Sequence, residues 1–236
     1  MSSRQSAANA TRPVPNATRR PTQRAPRRTG EAVALSNWHR LNETACLSAG
    51  LVAQDQFRSP RSSLGGPLGF SLFRAEPAGC GAAQPFVVSA ADSGRVRLSP
   101  AATLRCPMVG ALDDWVRDFV APYSVRYLGS PVTSLRVAAS YSCRPINGQS
   151  GNKLSQHGRA NAIDISAFTL ADGRVITVKR GWSGTYDEAR FLRAMHRGAC
   201  GHFTTVLGPD ADRFHHDHFH FDLATHGRQS EYRVCR

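Results

Sequence analysis

The chain of 236 residues has no apolar run of the roughly 20 residues that a membrane-crossing helix needs. No apolar run follows Met1 either, so no secretory signal is visible at this end. The G-x-S-x-G motif is missing, which speaks against a nucleophile-elbow serine hydrolase. Acid is scarce: 17 Asp and Glu stand against 30 Lys and Arg, for a formal charge of +13. The first thirty residues hold no acid and no aromatic, but they carry Arg4, Arg12, Arg19, Arg20, Arg24, Arg27 and Arg28. With almost nothing apolar to bury, residues 1–34 read as a disordered basic tail. The missing aromatics remove the stacking platform that nucleic-acid strands use, and no nucleic-acid-binding motif follows. No nucleic-acid partner is expected, whereas an anionic polymer of the cell envelope suits the same charge.

Six cysteines are present, widely spaced and outside any C-x-x-C pattern. An even number scattered in this way reads as up to three disulfides and an oxidising compartment, here the periplasm or cell envelope. Six buried thiols in a cytosolic protein are the alternative. Spacing alone does not set the connectivity.

Histidine is concentrated where the other signals are sparse. Five of the nine histidines lie between His202 and His220, four of them in His215-His216-Asp217-His218-Phe219-His220. Written as a strand, His218 and His220 share one face while Phe219 and Phe221 turn into a core. Imidazole and carboxylate clustered at this spacing suit zinc, and a catalytic zinc takes three protein ligands. The remaining ligands are sought in Ser155-Gln156-His157-Gly158-Arg159-Ala160-Asn161-Ala162-Ile163-Asp164. A loop carrying His157 and a strand carrying Asp164 would bring both to one metal. On that strand Asp164 sits among small residues with apolar flanks, where an unpaired charge is costly. A cation resolves the conflict; an ion pair with Arg159 or Arg144 is the plainer alternative.

Together these stretches resemble the LAS-type zinc peptidases, which include D-Ala-D-Ala peptidases, penicillin-insensitive murein endopeptidases and the hedgehog signalling domain. Within that group the chain is most similar to the bacterial extensin-like C-terminal domain family. The matching residues are Ser140-Tyr141-Ser142-Cys143-Arg144 with Asn147, Leu154-Ser155-x-His157, and Asn161 to Ile165. Further on are Phe191-Leu192-Arg193, Ala199-Cys200, Phe203, Val206-Leu207-Gly208-Pro209 and His215-x-Asp217-His218-Phe219-His220-Phe221-Asp222. The resemblance implies zinc held by His157, Asp164 and His220. It implies hydrolysis of peptidoglycan stem peptides by metal-activated water, most closely as a D,D-endopeptidase of cross-links. His218 is then the general base with His215 assisting, and Asp217 is either a third candidate base or a partner that fixes a tautomer. Arg144 is either a donor to the substrate carbonyl or carboxylate or a structural ion pair. Ser155 is either a substrate hydrogen-bond donor or a loop cap. Ala160 departs from the pattern, standing where the carboxypeptidase motif has glycine. A catalytically silent wall-binding module with a structural zinc is the competing function.

Residues 35–236 are expected to fold as one domain of α+β class, a small antiparallel sheet with flanking helices. A short helical entry is expected over 38–51, a loop at 65–69 and another at 79–81. Short strands are expected near 85–88, 95–98, 135–142, 204–207 and 218–223. The spacing of Leu112, Trp115, Val116, Phe119 and Val120 predicts a helix that stops at Pro122. A second helix is expected over 187–196, closed by Gly198. Asp172-Gly173 reads as a hairpin turn between strands at 163–170 and 175–178.

Overall fold

A computed structural model of the chain describes residues 57–58, 79–82, 85–227 and 232–236. The expectations for the basic tail, the helical entry at 38–51 and the loop at 65–69 lie outside the described residues. Among the described residues nine strands form one sheet, eight along the path β1-β2-β3-β4-β5-β8-β7-β9 with β6 beside β5.

After β1 (Phe57–Arg58), β2 (Phe86–Ala91) and β3 (Val96–Leu104) form an antiparallel pair. Asp92 and Ser93 take positive φ in their turn, and the Asp92 carboxylate pairs with Arg95 at 2.8 Å. Helix α1 (Cys106–Trp115) begins earlier than the Leu112 stripe suggests, and helical winding continues past Pro122. A π turn (Val116–Val120) leads directly into α2 (Ala121–Leu128), with Pro122 in its first turn. In that first turn the fixed φ of proline suits the helical backbone. Gly129, at φ 69, ends the helix in the left-handed conformation that glycine adopts without strain.

Strand β4 (Val132–Ala139) runs parallel to β3 and antiparallel to β5 (Ala162–Leu170). The other edge of β5 is shared by β6 (Val175–Thr177) and β8 (Phe219–Asp222). The Asp172-Gly173 turn joins β5 to β6 as its residue types predict, with Gly173 at φ 86. Then come α3 (Val178–Gly181) and α4 (Tyr186–Ala199), the latter opened by a capping box between Thr185 and Glu188. Gly198 lies inside α4 instead of closing it, because a Cβ there would run into the Phe119 ring. Strand β7 (Thr205–Leu207) pairs antiparallel with β8 and parallel with β9 (Val234–Cys235).

The α+β class holds, but the sheet is mixed rather than antiparallel, through the parallel β3–β4 and β7–β9 pairs. The core lies where α1, α2 and α4 meet the sheet, around Trp115, Phe168, Phe191, Phe203, Phe219 and Phe221, all fully buried. Trp115 Nε1 donates to the Met195 carbonyl at 3.1 Å, which satisfies its buried polar atom. Disulfides join Cys80 to Cys143 and Cys200 to Cys235, and no described cysteine is free.

Candidate metal centre

The polar face of the β5–β8 pair supports the centre. Asp164 and His220 are direct cross-strand partners, so their side chains share a face. Ile163, Ile165, Phe219 and Phe221 alternate to the opposite face and are fully buried. Expected together from their residue types, Asp164 and His220 meet with His220 Nδ1 2.9 Å from Asp164 Oδ1.

His157 reaches them from a 3₁₀ turn (Gln156–Arg159), and Ser155 caps that turn by accepting the His157 N–H on its Oγ. The turn closes at Ala160 in a left-handed conformation, φ 50, of the kind that favours glycine. His157 Nε2 lies 3.2 Å from both Asp164 Oδ2 and His220 Nδ1. Neither Arg159 nor Arg144 pairs with Asp164; its partners are His157, His218 and His220.

The partners of the outer ring nitrogens fix the tautomers. His157 Nδ1 sits 2.5 Å from the Ser140 carbonyl, which can only accept, so Nδ1 carries the hydrogen. His220 Nε2 sits 3.0 Å from Asp222 Oδ2, a carboxylate that can only accept, so Nε2 carries one as well. The inner nitrogens and the Asp164 carboxylate are then three acceptors facing one another. A single positive centre satisfies all three. Without a metal, a proton does so: burial lowers the His220 pKa, but Asp164 and Asp222 outweigh it and push it up to about 10. Burial likewise opposes ionisation of Asp164, and the close His157 and His220 rings hold it far below the usual carboxylate range. Two imidazoles and one carboxylate oxygen form a donor set that fits zinc. His196, Cys200 and Cys235 also converge, but the two cysteines are joined in a disulfide and offer no thiolate.

A cavity of about 510 Å³ opens over the centre. His218 stands on its wall, with Nε2 3.7 Å from Asp164 Oδ2 and Nδ1 donating to Asp217 at 2.9 Å. His215 is buried beside it, with Nδ1 donating to Asp212 at 2.7 Å and its ring centroid 5.3 Å from that of His218. Burial pulls the His215 pKa down against the pull of Asp212, while the His218 bond lowers that of Asp217. Asp217 stands outside the cavity wall and touches it only through His218. Arg144 lines the cavity, with no carboxylate partner for its guanidinium among the described residues. Ser155 lines it too, although its hydroxyl is engaged as the cap.

Neither Asp212 nor the Ser140 carbonyl stands out in the sequence, and Asp222 reads there as a structural residue of the matching motif. Asp222 follows His220 at strand period and was open to that reasoning, and Asp212 precedes His215 by one turn. A backbone carbonyl leaves no trace in residue type.

Residues 71–236 match the extensin-like protein C-terminus family. No curated protein and no solved structure matches the chain. With the family matched over most of its length and the centre inside the match, the chain belongs to the extensin-like C-terminal family.

Proposed function

We propose that this protein is a zinc-dependent peptidase of LAS type that cleaves peptidoglycan stem peptides, foremost as a D,D-endopeptidase of cross-links, in an oxidising envelope compartment. The observation that carries this reading is the trio of His157 Nε2, Asp164 and His220 Nδ1, three acceptors turned inward and 2.9–3.2 Å apart. When bound, zinc would supply a Lewis acid for the scissile carbonyl and make a water acidic near neutral pH. His157, Asp164 and His220 would hold it. His218, with its Nδ1 hydrogen committed to Asp217, presents the Nε2 lone pair to the centre, where it takes a proton from water and delivers it to the leaving amine. His215, held by Asp212, flanks the same space. Arg144 offers its guanidinium to a substrate carbonyl or carboxylate across the cavity. Three ligands rather than a closed set of four favour chemistry over a purely structural zinc. The disulfides support the compartment.

The test is digestion of cross-linked muropeptides by zinc-loaded protein beside the His218→Ala variant. Cleavage by the wild type, reduced about 10²- to 10⁴-fold in the variant with zinc retained, is the expected result. Zinc uptake without cleavage would leave a wall-binding module. Release of terminal D-alanine from uncross-linked peptides would make it a carboxypeptidase.

A further inference from the structure

Asp222 touches two hydrogens with two different oxygens. Its Oδ2 accepts from His220 Nε2 at 3.0 Å, and its Oδ1 accepts from the Ala224 backbone N–H at 2.9 Å. Asp222 is 5 % exposed although it lines the cavity, so little of it is open to water. Both oxygens are therefore assigned, and the one facing His220 can only accept. From this geometry we infer that Asp222 is the positioning residue that keeps the hydrogen of His220 on Nε2 and the lone pair on Nδ1, the atom that faces His157 and Asp164. Resting on the proposed metal centre, this makes Asp222 a determinant of zinc affinity without any contact between Asp222 and the metal.

The two contacts give the inference an unusual sign. In Asp222→Asn the Ala224 N–H still needs an acceptor, and only the amide oxygen can serve it. That orientation turns the amide NH₂ toward His220 Nε2. A donor facing Nε2 makes that nitrogen the acceptor and moves the ring hydrogen to Nδ1, where it blocks the third ligand position. Asp222→Ala removes the acceptor but puts no donor in its place, so a water can enter and accept from Nε2. The near-isosteric substitution should therefore damage zinc binding more than the truncation does. A residue that merely held the strand end in place would give the opposite order.

The experiment measures zinc dissociation constants by chelator competition for the full chain, wild type, Asp222→Ala and Asp222→Asn, together with thermal unfolding of the metal-free forms. Wild type tightest, Ala intermediate and Asn weakest, with Asn reduced by about 10- to 100-fold or more, is the expected order. Asn binding as tightly as wild type, or losing less than Ala, overturns the role of Asp222 while leaving the metal centre standing. A wild type that takes up no zinc overturns the centre and this inference with it. A second measurement needs no variant. Nitrogen-15 spectra of the zinc-loaded wild type should show the His220 hydrogen on Nε2 and a metal-perturbed Nδ1, and a hydrogen on Nδ1 instead would overturn the inference even if both variants failed to fold.

Discussion

A proton stands where zinc would bind, and displacing it shapes the chemistry of uptake. His220 is pushed up to about 10 by Asp164 and Asp222 in the metal-free centre, so it is protonated at pH 7. Zinc binding at neutral pH should release close to one proton, and apparent affinity should rise about tenfold per pH unit toward 10. Calorimetry in buffers of different ionisation enthalpy reads this directly; uptake without proton release would show that His220 is not protonated in the metal-free centre. The meeting of His157, Asp164 and His220 was legible in the sequence because two kinds of signal agreed. His220 alternates with apolar Phe219 and Phe221, and Asp164 is a charge among Ile163 and Ile165 that needs a partner. What completes the site was less legible. The Ser140 carbonyl that orients His157 is backbone, and Asp217, read as a candidate base, turns its carboxylate to His218 rather than to the cavity.

At the scale of elements, the centre depends on a loop held from two sides. The Cys80–Cys143 disulfide ties the segment around 140–144 to the strand of chain at 79–82. Next to it Gly81 N–H donates to the Gly158 carbonyl and Ser142 N–H to that of His157. The segment that carries the Ser140 acceptor is thus fastened on both flanks of His157. Replacing both cysteines with serine should weaken zinc binding by about tenfold through His157, without removing a ligand; unchanged affinity would mean that the hydrogen bonds suffice. Gly198 marks a different element contact. Gly198→Ala should cost about 1–3 kcal/mol in denaturant unfolding, because α4 cannot give way to a Cβ pressed on Phe119, while zinc uptake stays unchanged. A neutral substitution would show that the ring swings aside. These contacts explain why element limits were harder to read than element types. Pro122 and Gly198 are helix breakers by local chemistry, yet the first turn of α2 accommodates one and the close approach of Phe119 requires the other.

Across the whole molecule, buried histidines set a lower limit on pH. Burial lowers the pKa values of His196, His202 and His215 from the ordinary histidine value, against the pull of nearby acceptors. The unfolded chain therefore binds protons before the folded one does. The stability these groups confer is present above about pH 6.5 and is lost as pH falls through the folded values. The thermal midpoint of the metal-free protein should drop between pH 7 and pH 5, and His202→Gln should flatten that slope; a midpoint that does not move would contradict the burial assigned to these rings. Class and core were open to the sequence at this scale, since the apolar periodicities of α1, α4, β5 and β8 are local. The parallel pairings of β3 with β4 and of β7 with β9 were not, because they join segments whose distance in the chain hides their adjacency. The central claim, that His157, Asp164 and His220 form a zinc site, is tested most directly by X-ray absorption of the zinc-loaded protein beside His220→Ala. The expected result is about one zinc per chain with nitrogen and oxygen neighbours at roughly 2.0–2.1 Å, including imidazole, and its loss in the variant. Sulfur neighbours at about 2.3 Å, or no zinc at all in the wild type, would contradict it.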